Sequence, residues 1–577
     1  MYKLLKYLKP FLPAALLAIV LVLLQTFSQL FLPRLMADIV DKGIASGDIA
    51  LILSIGGRML LVATLGGACA VTASFFSARV GLGYGAALRS AVFSHIQGFS
   101  LREYDEFGAA SLITRTTNDV IQVAMVVLMS LRMAIMAPLM LVGSVIMAVS
   151  QDSNLSRLIL LLIPILAVAV VVLARAAMPL FKAIQAKLDK LNLVLRENLT
   201  GIRVIRAFTR ERYEEQRFDA ANLDLTSTAV KVNRIMAGAM PGMMLLINLS
   251  SVAVIWFGGH RVAAGGLQVG SLIAFLQYMM QIMFALMMVS MMFVMLPRAM
   301  ASVNRIVAVL NTRPDISDSH EDMDCQGNQL AGQVEFRNVT FSYPGAEIPA
   351  LRDISFTAKP GEVTAIIGGT GSGKSTLINL ILRFYDVDSG SILVGGVDVR
   401  ELPQAVLREK IGYVPQRALL FTGTIAENIR YGKEDASAEE VRRAAEIAQA
   451  IEFIDALPEG FDFLVSQGGT NLSGGQKQRL TIARALVRRP EICIFDDSFS
   501  ALDFRTDARL RAALKEETAN ATMLIVAQRV STVMDADRII VLDQGAVAGE
   551  GTHRELMETC AVYREIVLSQ VSEEEIA

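Results

Sequence analysis

Nine consecutive residues, Gly368, Gly369, Thr370, Gly371, Ser372, Gly373, Lys374, Ser375 and Thr376, fit the spacing G-x-x-x-x-G-K-[ST] at every fixed position. That spacing serves phosphate chemistry. The glycines let successive backbone N–H groups turn toward phosphate oxygens, next to the positive N-terminus of a following helix. Lys374 is placed to reach the outer phosphates, and the Ser375 hydroxyl to ligate Mg²⁺. A glycine-rich turn that binds nothing is the plain alternative, but the flanks speak against it: an apolar run at 363–367 reads as a buried strand, and 377–382 as the apolar start of a helix.

Further residues able to take part in the same chemistry stand in a fixed order on either side of that stretch. Tyr343 closes the run 339–343 with a ring that can stack on adenine. Gln416 closes 413–416 with an amide oxygen for Mg²⁺ or an attacking water. Leu472, Ser473, Gly474, Gly475 and Gln476 open a helix, and a serine hydroxyl with glycine amides at a helix N-terminus forms an anion site suited to a γ-phosphate arriving from outside. The run 492–496 reads as a buried strand ending in Asp496, a carboxylate placed to hold Mg²⁺ through water. Asp503 lies shortly beyond. Short apolar runs alternate with helical stretches throughout this half, as in an α/β fold.

The rest of the chain must anchor this machinery. Over 577 residues the composition is 53% hydrophobic and 19% charged, with a mean hydropathy of +0.47, too apolar for an ordinary soluble protein. A net charge of -2 argues against a nucleic-acid partner. Cys69, Cys325, Cys493 and Cys560 are scattered, with no C-x-x-C spacing for a metal or redox pair. Six segments reach the length of about 20 apolar residues that a bilayer requires: 11–32, 59–78, 133–149, 158–173, 240–258 and 272–296. Lys3, Lys6 and Lys9 before the first apolar run resemble a signal peptide, but the run is long and lacks a small-residue cleavage site, so it reads as a retained span. The connection between the fourth and fifth segments is basic (Lys182, Lys187, Lys190, Arg196, Arg203, Arg206, Arg210, Arg212), which places the long connections, the N-terminus and the phosphate-loop half inside. Gln25, Gln29, Asn248, Gln277 and Gln281 must face protein or a wet cavity, either in helix-to-helix hydrogen bonds or against a substrate. The methionines between Met279 and Met295 suit varied apolar ligands or plain packing.

The stretches 112–119 and 197–208 resemble the intracellular loops of ABC exporters, whose short transverse helices rest on the nucleotide-binding domains. The series from Tyr343 to Asp503 resembles the ATP-binding cassette of ABC transporters, and the resemblance to a half-size exporter covers nearly the whole chain. It implies an α-helical six-span transmembrane domain with long cytoplasmic helical extensions at 1–311, a linker at 312–330, and an α/β P-loop ATP-binding cassette at 331–577. It also implies ATP and Mg²⁺ as cofactors, the metal held through Ser375, Gln416 and Asp496. Location in the cell membrane and transport by alternating access go with it. So does a second half-transporter: two cassettes sandwich two ATP molecules, each pocket joining one chain's phosphate loop to the other chain's Leu-Ser-Gly-Gly-Gln.

At two positions the sequence departs from that pattern. Asp497 stands where the family usually has a glutamate general base, and Gln528 where it has a switch histidine. With 472–476 intact, this is the pattern expected of the degenerate-site subunit of a bacterial heterodimeric multidrug exporter, whose partner chain carries the intact glutamate and histidine. A slow-hydrolysing homodimer, a lipid flippase, an importer on the exporter fold and an ATP-gated regulator that only binds nucleotide are the alternatives. The transported small molecule is not named by the sequence, and membrane lipid is the remaining partner.

Overall fold

The computed structural model describes residues 2–318, 332–517 and 519–570; most of the linker expected at 312–330, Cys325 included, lies outside them. The chain forms two units. One comprises Met1–Gln97 and Ala109–Thr312, the other Gly98–Gly108 and Arg313–Ala577.

In a bilayer every backbone polar group must be satisfied within the protein, and a helix does this alone. The apolar segments of the first unit accordingly form six long helices among the described residues: α1 (Lys6–Ile44), α2 (Ile49–Gln97), α4 (Ala109–Gln151), α5 (Ser156–Thr200), α7 (Glu211–Ala263) and α8 (Val269–Asn311). The longest has 53 residues; at about 1.5 Å per residue it far exceeds a hydrocarbon core of about 30 Å. The remainder supplies the polar extensions. Between α4 and α5 the chain turns in four residues, where Asp152 accepts from the Leu155 N–H at 2.7 Å and pairs with Arg261 at 2.8 Å.

Several polar groups inside the spans join helices. Gln281 accepts from the Ser144 hydroxyl at 3.0 Å and donates to the Gln29 carbonyl at 3.2 Å. Tyr278 donates to the Leu30 carbonyl at 2.9 Å. Asp41 caps the start of α8 through the Gly270 and Ser271 N–H groups at 2.6 and 2.9 Å. Of the two readings for Gln281, the helix-joining one describes its contacts, whereas Asn248 and Gln277 are exposed on the single chain. The methionines of α8 divide between its faces: Met279 and Met283 are buried, Met280 and Met291 exposed.

The second unit carries a six-stranded sheet and a four-stranded antiparallel one. The smaller is made of β1 (Val334–Phe341), β2 (Leu351–Ala358), β4 (Ser389–Val394) and β5 (Val397–Asp398) in the order β2-β1-β4-β5. The larger contains β3 (Val363–Gly368), β6 (Ile411–Val414), β7 (Ile492–Asp496), β8 (Thr522–Val526), β9 (Arg538–Asp543) and β10 (Ala546–Gly551), ordered β10-β9-β3-β8-β7-β6 and parallel except for the β9–β10 pair. Successive side chains of a strand point to opposite faces, and both faces here are covered. Ala365, Ile367, Phe495 and Ile525 enter one apolar core, Ile366, Ile494, Leu524 and Val526 the other. Continuous apolar runs are what a parallel sheet buried on both sides requires.

One connection departs from expectation. Residues 112–119 belong to α4 in the first unit, where 115–119 widen into a π-helical turn; Asp119 is buried there and accepts from Ser302 Oγ at 2.9 Å and Arg305 Nε at 2.7 Å. The stretch that folds with the cassette is Gly98–Gly108, containing the short helix α3 (Leu101–Phe107). Its own ends make it a separate element. Ser100 and Glu103 form a capping box at the start, and Gly108 at φ 71° ends it before α4 begins. In the second long connection α6 (Ile202–Ala207) is a short helix within 197–208, following a break at Gly201.

Candidate active site

The parallel strands bring their carboxyl ends to one edge of the sheet, where ligands of such folds bind. β3 runs into the phosphate loop, β7 into Asp496 and Asp497, β8 toward Gln528, and β6 toward Gln416. Two bonds tie the strand ends together: the Asp497 N–H donates to the Val526 carbonyl at 2.8 Å, and Ser498 Oγ to the Val414 carbonyl at 3.1 Å. Asp497 itself adopts φ 46°, a left-handed conformation that aspartate tolerates better than most residues.

The loop between β3 and α9 (Lys374–Ile381) turns through Gly371 at φ 82° and Gly373 at φ 98°. A Cβ on Gly373 would come within 2.6 Å of Leu351 Cδ2 and 3.0 Å of the Ala350 carbonyl oxygen, so glycine is required for space as well as conformation. Lys374 is only 8% exposed, and its ammonium donates to the Gly368 and Gly369 carbonyls at 2.8 and 2.7 Å. Burial pulls its pKa below the usual lysine value, with Asp497 and Asp496 acting in the opposite sense. Ser375 Oγ lies 3.5 Å from Asp496 Oδ1. Burial pushes the Asp496 carboxyl above the ordinary carboxylate range, Asp497 adds to this, and Ser375 and Lys374 oppose it.

Around these groups lies a cavity of about 400 Å³ lined by Tyr343, Ala350, Thr370, Gly371, Gly373, Lys374, Ser375, Thr376, Gln416, Asp496, Asp497, Val526 and Gln528. Gln416 Nε2 donates to Asp497 Oδ2 at 3.2 Å, and the Tyr343 hydroxyl shares a hydrogen bond with Thr376 Oγ1 at 3.0 Å. The donor set fits a nucleotide polyphosphate with its metal. A buried ammonium hydrogen-bonded only to neutral oxygens leaves a place for an anion, and the Asp496 carboxylate, whose charge burial and Asp497 disfavour, leaves a place for a cation. A cavity of about 540 Å³ elsewhere, among Arg443, Arg489, Glu491 and Glu517, contains none of these groups.

Not every candidate residue reaches the cavity. Gly368, Gly369 and Ser372 belong to the loop but not to the lining; Asp503, outside the loop, is also absent from the lining, and its carboxylate accepts from the Thr506 N–H at 2.9 Å. Leu472, Ser473, Gly474, Gly475 and Gln476 are also absent from the lining. Ser473 caps α10 (Gly474–Leu486), its Oγ accepting from the Gln476 N–H at 3.3 Å while Gln476 Oε1 accepts from the Ser473 N–H at 2.8 Å. That acceptance leaves the hydroxyl proton free for an external anion.

Comparison with known proteins agrees with this geometry. Residues 15–286 match the family described as the ABC transporter transmembrane region, and residues 351–500 match the ABC transporter family. An ABC transporter ATP-binding protein of Mycobacterium tuberculosis is 45% identical over 568 residues, covering 98% of this chain and 97% of that protein. The chain belongs to the ABC transporter family. The transporter is also 35% identical over 477 residues to a fatty acid ABC transporter ATP-binding/permease protein of Mycobacterium bovis, covering 82% of this chain and 75% of that one. A solved bacterial Atm1-family ABC exporter with ATP bound superposes with a TM-score of 0.79 at 27% identity, covering 98% of the transporter and 99% of that chain. The transporter is therefore a multi-pass half-transporter with the exporter fold, whose fused cassette binds ATP as an ATPase and translocase.

Three features of the site went unread in the sequence. Ala350 and Val526 line the cavity, and the Gln570 side chain clamps the loop after β8, donating to the Gln528 carbonyl at 2.8 Å and accepting from the Val530 N–H at 2.9 Å. Ala350 and Val526 stand near Tyr343 and Gln528 in the sequence but are apolar and mark no phosphate chemistry, whereas Gln570 has no local signal because it reaches the site from 42 residues away.

Proposed function

We propose that the transporter exports small or amphipathic molecules across the cell membrane by alternating access, as one subunit of a heterodimer whose own ATP site is degenerate. The observation that carries this reading is the identity of two residues lining the cavity, Asp497 and Gln528. An aspartate stops one methylene, about 1.5 Å, short of a glutamate, and a misplacement of ~1 Å in a catalytic constellation can cost ~10²-fold in rate. Glutamine hydrogen-bonds but carries no proton at neutral pH. In this reading Tyr343 stacks on adenine, the amides of 368–376 and Lys374 hold the phosphates, and Ser375, Gln416 and Asp496 hold Mg²⁺, which neutralises phosphate charge when bound. Ser473 and its neighbours, outside this chain's own cavity, complete the competent pocket of the partner. ATP binding closes the cassette pair and hydrolysis at the partner's pocket resets it, with the N-terminus and cassette in the cytoplasm.

The fatty acid transporter among the relatives favours a lipid-like cargo, and the exposed Met280 and Met291 are adaptable apolar groups compatible with one. A slow homodimer is the second reading, favoured by the hydrogen bond that Asp497 already receives from Gln416. The discriminating experiment is ATP hydrolysis by this chain purified alone, beside the double variant Asp497→Glu, Gln528→His. Near-zero turnover with only modest rescue is the expected result. Robust turnover by the unaltered chain would overturn the degenerate site in favour of a homodimer.

A further inference from the structure

A line of contacts within the second unit joins the ATP cavity to the stretch between α2 and α4. Tyr343 lines the cavity and is bonded to Thr376 of the phosphate loop. Its ring meets that of Tyr385 edge-on, with centroids 5.5 Å apart and planes at 84°. Both rings also pack on Phe341, at 5.1 and 5.5 Å. At the far side the Tyr385 hydroxyl donates to Asp105 Oδ2 at 3.0 Å, and Asp105 lies in α3. Burial, and then the hydrogen bond to Asp105, hold the Tyr385 phenol well above its ordinary pKa, so it stays a donor at working pH.

We propose that Tyr385 is a positioning residue that transmits ATP occupancy from Tyr343 to Gly98–Gly108. The inference rests on the reading that adenine stacks on Tyr343. The physical case is one of packing and placement. Tyr385 is 8% exposed and closely packed, so a ring displaced on its cavity side has little free volume in which to move alone. Its one polar atom is committed to Asp105, whose segment also meets the chain entering the cassette: Arg102 pairs with Asp315 at 3.0 Å, and Glu103 accepts from the Asp315 N–H at 3.3 Å. A shift of Tyr385 therefore reaches a segment that stands, in chain order, between two membrane helices.

The test is amide hydrogen exchange across 98–108 in the full chain in lipid nanodiscs, with and without Mg-ATP, alongside ATP affinity. In the unaltered chain ATP is expected to slow exchange in this segment. Tyr385→Phe, which keeps the ring and loses only the hydroxyl, should cut that response at least about fivefold while leaving the ATP Kd within about twofold. Asp105→Ala should behave the same way, and Asp105→Asn, which keeps an acceptor oxygen, should restore the response. No ATP-linked change in the unaltered chain, a full response in Tyr385→Phe, or an affinity loss matching the lost response would each overturn the proposal. Tyr343→Ala separates the underlying reading: unchanged ATP affinity in that variant overturns base stacking, whatever Tyr385→Phe does.

Discussion

Asp496 illustrates how a residue proposed to bind a ligand can oppose stability when that ligand is absent. Burial raises its pKa, and a carboxyl whose folded pKa lies above its unfolded value contributes stability at low pH that is lost as pH rises through the folded value. Once ionised, the group therefore works against the nucleotide-free fold. Asp496→Asn should raise the melting temperature of the nucleotide-free protein at pH 7.5, and this advantage should shrink toward pH 5 as the native carboxyl protonates; scanning fluorimetry checks both. The same variant should lose most of the added stability that Mg-ATP gives, about 2.7 kcal/mol at ~100 times Kd. That Lys374, Gly371 and Gly373 line one cavity was legible because they stand together in one short loop of the sequence. Tyr385 was not, because its role depends on two neighbours, Tyr343 and Asp105, that are far from it along the chain.

Among the elements, the parallel strands were the most readable, since a sheet buried on both faces demands continuous apolar runs. Helix α3 was the least. Its sequence, Leu101 to Phe107, is mostly polar and lies just after a helix of 49 residues, so it resembles a tail of α2. What makes it separate is the Ser100–Glu103 capping box and the glycine at 108. Glu103 is buried and accepts from the Ser100 N–H and hydroxyl at 2.7 Å each, as well as from Asp315. Glu103→Ala strands these donors and should cost about 1–3 kcal/mol locally. Limited proteolysis should then cut within 98–108 at protease levels that spare the unaltered chain, whereas equal resistance would show that the cap is dispensable.

For the molecule as a whole, the proposed asymmetry between the two ATP pockets makes the sharpest prediction. If this chain pairs with a different, competent subunit, Ser473→Ala removes a donor from the competent pocket and should lower the pair's ATPase by about tenfold or more, while Lys374→Ala acts only on the weak pocket and should leave most turnover intact. In a homodimer both changes strike equivalent pockets, and both should abolish turnover; ATPase assays on the reconstituted pair and on the single chain distinguish these outcomes. The sequence by itself determined the two-part architecture, the six spans and the nucleotide chemistry, because hydrophobic length, strand alternation and phosphate-loop spacing are properties of local chain segments. Only the tertiary structure decided that Gly98–Gly108 folds with the cassette, that Gln281 joins helices through Ser144 and Gln29, and that Gln570 clamps the Gln528 loop. Those contacts join residues roughly 40 to 280 positions apart, and which distant groups meet is settled by how the elements pack.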